Sequence, residues 1–566
     1  MPVKANDFVT RHVVFFGGAL WGHARSALHY SVTLCANSPN LVISLLLPPA
    51  LMIKAKAAVD LTVAEQTSDK GLAKDIHARL NFVTLTLPED YECPADRATS
   101  RARVFMDASV AFQIFWHKIH NEPQELPRPS MLIVDFFTEY DRQEIKAVND
   151  VPILFWWTCS LNYYVYHFGP EGSGGLGPAF LKTLDTISDL KELDQAQEQL
   201  WFSTSDELAR TGDVRPHHQY EHICSSMTSR PDIGTFMRVG NYNAFKNADG
   251  HILCSASWLE PEARKIVKSY FDNILKKPTY CANLRISTDE SGAIFSPERI
   301  TAHTPHEKEI FSFLDEKLEK HGAESVLYLS WGTNFAPSTE PWQADVFIDV
   351  MLENKRPFVM SQATVKALKN PGLKERLDRA QKAGLCATAA WIPQEAVLKH
   401  KAVGAFITHG GWNSTCEAIG AATPMIFWPF AIDQPFNSSL LSESSEPSSW
   451  QLYETRGPTV SKFTPYSFKD GPLISALGEI IPVPTGTPEA LRAEFERVLI
   501  REAAAGSAEL KKRRERMLAL RQRFIDSNRP GGESHQAMSD LLNPIGCTIA
   551  DVGSRPVSPT YSLPRL

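Results

Sequence analysis

Short apolar runs alternate with helix-like stretches along most of this chain, and that alternation limits the fold more than any other feature. In the first half the runs are HVVFFGG, LVISLLLPP, LNFVTLTLP, SMLIVDFF, PILFWWTCS and HILCSAS. They are apolar on both faces and partly β-branched, as strands buried in a parallel sheet are. After the first run, Ala24, Leu28, Val32 and Cys35 recur at helical spacing. In the second half SVLYLSWGT, PFVMSQ, GLCATAAW, AFITHGG, PMIFWPF and GEIIPVP read as strands. A late helix opens with Thr487 as N-cap and Pro488 in its first position. The pattern predicts two doubly wound α/β domains. Ligands of such sheets sit outside the carboxyl ends of the strands, so the chemistry is sought in the turn after each strand.

The 566 residues carry a formal net charge of −7. No basic field draws the chain to nucleic acid or an anionic membrane. No apolar run is long enough to span a bilayer. VVFFGGALW follows a polar leader and ends in Gly-His without a small-residue cleavage site. A first strand and its turn is therefore a better reading than a signal peptide. Nine cysteines include no C-x-x-C pair, and several sit in apolar runs. That fits free thiols in a reducing compartment, and the expectation is a cytoplasmic protein. The sequence contains no zinc-ligand spacing, P-loop, H-E-x-x-H or Gly-x-Ser-x-Gly elbow, so no metal site is expected.

The stretch FITHGGWNSTCEAIG, Phe406 to Gly420, places an imidazole, an indole, an amide and a hydroxyl where a strand turns into a helix. Gly410 and Gly411 let backbone approach a ligand without a Cβ in the way. The helix start near Asn413 and Ser414 offers free N–H groups and a partial positive charge. His409 can donate to an anionic oxygen. The set suits a diphosphate, and taken alone it equally suits a capped helix.

The flanks weigh between the two. WIPQEAVLKHKAVGAFITHGGWNS and EAIGAATPMIFWPFAIDQPFN resemble the signature box of the UDP-dependent glycosyltransferases. The resemblance implies that Trp391 stacks on uracil and that the Ile392 backbone pairs with its edge. Gln394 and Glu417 would bond the ribose. His409, Asn413 and Ser414 would hold the diphosphate, with Gly411 among the matched donor-site positions. Trp412, Asp433 and Gln434 would face the sugar, and glutamine at the last position goes with UDP-glucose. YLSWGTNFAPS is similar to a family turn in which the Thr333 hydroxyl helps hold phosphate. In the first domain GHARS matches the family pattern Gly-His-x-x-Pro at Gly22 and His23, with Ser26 in place of the proline. His23 would be the base and Asp135, ending SMLIVDFF, its partner. FWWTCS would put Thr158 near the sugar.

The family fold is GT-B, two Rossmann-like domains facing across a cleft. On that pattern residues 1–284 bind the acceptor, 285–321 are the linker and leading helix, and 322–532 bind the UDP-sugar, with a surface insertion at about 441–474. A helix at 533–548 returns to the first domain, and 549–566 is a disordered tail. The implied activity is metal-independent, inverting transfer of a sugar, in first place glucose. It would run from UDP-glucose to a hydroxyl of a small apolar or aromatic acceptor, as in secondary metabolism, in a monomer without a cofactor. A sugar-nucleotide epimerase and a non-catalytic UDP-sugar-binding protein on the same fold are the alternatives. GSGGLG, Gly172 to Gly177, matches a dinucleotide fingerprint but lacks the strand before it. A mobile loop beside the acceptor pocket is the expectation there. Trp156, Trp157, Tyr163, Tyr164, Tyr166 and Phe168 read as a pocket wall or as core.

Overall fold

The computed structural model describes residues 9–93, 103–122, 125–202, 205–225, 242–282, 305–333, 335–362, 370–456, 464–475 and 477–549. Residues 285–304 of the expected 285–321 linker, and 550–566 of the expected tail, lie outside them. The six apolar runs of the first half pair as β1 (Arg11–Phe16), β2 (Leu41–Leu47), β3 (Leu80–Thr84), β4 (Met131–Asp135), β5 (Ile153–Trp157) and β8 (Gly250–Leu253). Together with β9 (Thr279–Cys281) they form one parallel sheet in the order β3-β2-β1-β4-β5-β8-β9. β6 (Leu208–Ala209) and β7 (His217–His218) make a separate antiparallel hairpin. Every residue of β2, β4 and β5 is buried, as strands covered on both faces must be. β9 has no such signal, because it is three residues long at the sheet edge.

The second sheet is parallel throughout, in the order β12-β11-β10-β13-β14-β15. Its strands are β10 (Val326–Ser330), β11 (Phe358–Ser361), β12 (Cys386–Ala389), β13 (Val403–Thr408), β14 (Met425–Phe427) and β15 (Trp450–Gln451). Two readings need correction here. GEIIPVP is not in this sheet: Ile480–Ile481 pairs antiparallel with Leu473–Ile474 in a small ribbon, with Ile480 and Ile474 exposed. The sixth strand comes instead from the segment read as a surface insertion, whose Trp450, Leu452 and Arg456 are buried. Two residues of strand after two buried serines are too short to show alternation.

Both sheets reverse strand order beside their first strand, between β1 and β4 and between β10 and β13. Those are the crevices where doubly wound sheets bind ligands. Four helices border these crevices or the domain boundary: α1 (Trp21–Asn37), α2 (Gln394–Lys399), α3 (Trp412–Gly420) and α4 (Glu533–Leu542). α1 leaves β1 and α3 leaves β13, so each starts at its own crevice. Among the described residues no helix is long and apolar enough to cross a membrane.

The domains are joined by direct bonds. Ser225 N–H donates to the Phe430 carbonyl at 2.8 Å and Ile432 N–H to the His222 carbonyl at 2.9 Å. α4 lies against β9, and Ser257 N–H donates to Glu533 Oε1 at 3.2 Å. Beside the hairpin, Arg215 reaches Glu221 at 2.6 Å and, across the domain boundary, Glu443 at 2.8 Å. Arg456 stands 3.6 Å from Glu221. Burial opposes the charge on Glu221, but Arg215, His217 and Arg456 outweigh it and hold the carboxyl below its ordinary range.

Removing one member of a buried ion pair leaves an uncompensated charge. Arg215→Ala is therefore expected to destabilise the protein by about 3–5 kcal/mol and to lower the thermal midpoint in calorimetry. An unchanged midpoint would show that the cluster does not hold the domains together.

Candidate active site

Asp135 ends β4 with no solvent exposure. A carboxylate there is costly unless bonded. His23 Nδ1 lies 2.8 Å from its Oδ2, and Phe137 N–H donates to its Oδ1 at 3.0 Å. Gly18, in the turn after β1 with φ +88°, makes room: a Cβ there would stand 2.7 Å from Asp135 Cγ. The imidazole also packs against two rings, 4.6 Å from Phe136 and 5.1 Å from Phe137. Sequence reasoning singled out His23 and Asp135 but missed these two phenylalanines, although SMLIVDFF contains both. Phe105 stands behind them, 4.8 Å from Phe137.

Across the cleft, α3 starts at Gly411 with no side-chain cap. The N–H groups of Asn413 and Ser414 are left without intrahelical partners, so this end presents a partial positive charge. Trp412 N–H is taken by Asp433 Oδ2 at 3.1 Å. His409, at the end of β13, lies between two glycines: a Cβ on Gly332 or Gly411 would come within 2.8 or 2.6 Å of its ring. Burial lowers its pKa to about 4, so at neutral pH it is an uncharged imidazole. Thr333 is exposed in the turn after β10.

The other donor-site candidates gather beside α3. Gln394 Nε2 donates to Glu417 Oε2 at 2.6 Å and to Ser414 Oγ at 3.1 Å. Tyr328 donates to Gln394 Oε1 at 3.2 Å. Ile392 is buried, while Trp391 keeps 51% of its surface in solvent, an open face for a planar base. Gln434 Oε1 accepts from Phe430 and Ala431 N–H, which leaves its amide nitrogen as the group that can donate elsewhere. Asn413 points back across the cleft, donating from Nδ2 to the Gly22 carbonyl at 2.9 Å.

Two candidates sit differently from the expectation, and the aromatic run takes the second of its two readings. The indole of Trp412, expected beside the sugar, is buried and donates to the Cys254 carbonyl of the first domain at 2.5 Å. Thr158 is buried after β5 and bonds the Cys159 thiol. The six aromatic residues from Trp156 to Phe168 are at most 2% exposed and are core. The glycines of GSGGLG follow a helix, and Gly174, Gly175 and Gly177 are packed against backbone carbonyls of Leu208, Tyr166 and His167. Among the described residues no group of three His, Cys, Asp or Glu side chains is arranged to hold a metal ion.

Residues 299–446 match the family model of UDP-glucuronosyl and UDP-glucosyl transferases. The match takes in the donor-site candidates from Thr333 to Gln434, and this part of the chain is similar to that family. Anthocyanidin 3-O-glucosyltransferase 2 of Fragaria ananassa is 37% identical over 126 residues, which are 22% of this chain and 26% of that protein. The aligned part thus spans about a quarter of that relative's length. UDP-glycosyltransferase eriJ of Hericium erinaceus is 22% identical over 76% of this chain and 81% of its own. In three dimensions a transferase from Siraitia grosvenorii in complex with UDP superposes with a TM-score of 0.62. It covers 95% of this chain and 100% of its own at 17% identity, a likeness of fold. The fold of this chain is accordingly GT-B.

Asp433 offers a test of this electrostatic picture. Burial raises its pKa from the ordinary 3.8 to about 6. Between those values the unfolded chain has released a proton that the folded site still holds. Stability therefore falls as pH rises from about 4 to 6, by up to about 3 kcal/mol. Asp433→Asn is expected to remove that fall, so its unfolding free energy gains on the native protein across the window and runs parallel above it. Parallel curves throughout would contradict the assignment.

Proposed function

We propose that this protein is an inverting glycosyltransferase that moves glucose from UDP-glucose to a hydroxyl of a small, largely apolar acceptor. The observation that carries the reading is the His23–Asp135 pair, fastened through Gly22 and Asn413 to the uncapped start of α3. With Nδ1 committed to Asp135, Nε2 is the atom that takes the acceptor proton. Asp135 stabilises the imidazolium that forms. The charge of His23 is felt at Asp433, which supports a base and a sugar contact lying in one space.

On this reading the acceptor oxygen attacks the anomeric carbon as its proton passes to His23, and the bond to UDP breaks. The leaving diphosphate is received by the Asn413 and Ser414 N–H groups, the Ser414 hydroxyl and neutral His409. These fixed donors, rather than a metal, are proposed to carry the charge that develops. Trp391 supplies the base platform, and Glu417, aligned by Gln394, takes the ribose hydroxyls. One displacement inverts the anomeric centre. Phe136 and Phe137 beside His23, with Phe105 behind them, support an aromatic or apolar acceptor, and the Fragaria ananassa relative is named for an acceptor of that kind. A monomer at work in the cytoplasm completes the proposal.

The test is UDP release from UDP-glucose with a panel of phenols, sterols and hydroxy lipids, with mass spectrometry for an added hexose. His23→Ala is expected to keep UDP affinity while turnover falls by about 10²–10⁴-fold. Near-native turnover in that variant would overturn His23 as the base.

A further inference from the structure

The turn of α1 that carries His23 also carries two side chains that leave their own domain. Ser26, which stands where the family pattern has proline, donates to Asn413 Oδ1 at 2.6 Å. Arg25 divides its guanidinium between two carboxylates of the other domain, one nitrogen on Glu395 and another on Glu417. All three side chains are largely shielded, with exposures of 21%, 22% and 11% for Arg25, Glu395 and Glu417. The remaining oxygen of Glu417 accepts from Gln394. Arg25 therefore bonds directly to the carboxylate assigned to the ribose.

The charges make this more than a strut. Without Arg25, Glu417 would lose its ion pair and Glu395 would be left with the pull of His29 and Lys399, in a half-dry cleft that on the proposed reading also receives a diphosphate. Like charges brought together under a lowered dielectric repel strongly, and a planar guanidinium can bridge two carboxylates where an ammonium cannot match both. A carboxylate has about four acceptor positions, so Glu417 can keep Arg25 and Gln394 and still accept from ribose hydroxyls.

We propose that Arg25 is a donor-site residue supplied by the acceptor domain. It neutralises the Glu395–Glu417 pair so that Glu417 can bind ribose beside an anionic diphosphate, and it fastens the base-bearing helix over the donor. The inference rests on the glycosyltransferase reading. It separates anionic from neutral ligands, because loss of Arg25 leaves one more uncompensated negative charge in the cleft.

The test is calorimetric titration of the full chain with UDP and with uridine, at one ionic strength, with thermal unfolding recorded for each variant. Arg25→Ala is expected to weaken UDP binding by about tenfold or more and uridine binding by less than about threefold. Adding Glu395→Gln to that variant is expected to recover most of the UDP affinity, since one carboxylate of the pair is then neutral. Should Arg25→Ala fail to fold, Arg25→Lys takes its place, with a smaller loss for UDP than for the alanine variant's expectation but the same selectivity over uridine. UDP affinity equal to the native protein's, or equal losses for both ligands without recovery, would overturn the inference and leave the glycosyltransferase reading standing. A native protein that binds neither ligand would overturn both.

Discussion

The buried carboxylate of Asp135 is the constraint on which the rest of the site depends. It sits at the carboxyl end of a strand covered on both faces, where an ionised group survives only with bonded partners. His23 is one partner and the Phe137 backbone is the other. Gly18 is required because its φ is positive and a Cβ would strike the carboxylate. Meeting these needs fixes the first turn of α1 against β4, and with it the ring that is proposed to take the proton.

That turn is also where the domains meet. Gly22 accepts from Asn413, Ser26 donates to it, and Arg25 spans Glu395 and Glu417. Asn413 and Glu417 lie on α3, so the two helix starts that face the cleft are bonded to each other. Further away, the backbone bonds of Ser225 and Ile432 and the Arg215 cluster close one side, and α4 returns to the first sheet. The arrangement accounts for how the proposed base of one sheet and the proposed anion site of the other can share a reaction centre. Neither domain contains the whole of it.

Much of this was legible in the sequence, for physical reasons. Strands buried on both faces must be continuously apolar, so β1, β2, β4, β5 and β13 announce themselves. His23 and Asp135 stand out because polar groups at the ends of such strands need a purpose. β9 and β15 escaped because two or three residues carry no periodicity, and Trp450 read as part of a surface segment although it is core. Phe136 and Phe137 escaped because apolar residues after a strand look like core until the histidine ring is seen beside them. The contacts of Arg25 and Ser26 were invisible for a different reason: their partners lie more than 350 positions away, and no local pattern reports a contact across a cleft. Trp412 carried a signature-box match, yet its indole is spent on the domain boundary.

The most direct measurement of the central claim is the anomeric configuration of the product. A glycoside made from UDP-glucose, whose sugar is α-linked, would be isolated and its anomeric proton coupling read by nuclear magnetic resonance. A single displacement driven by His23 predicts the β-glycoside alone. An α-glycoside would contradict it, because retention requires a second displacement or a front-side path that one base facing one donor site does not provide.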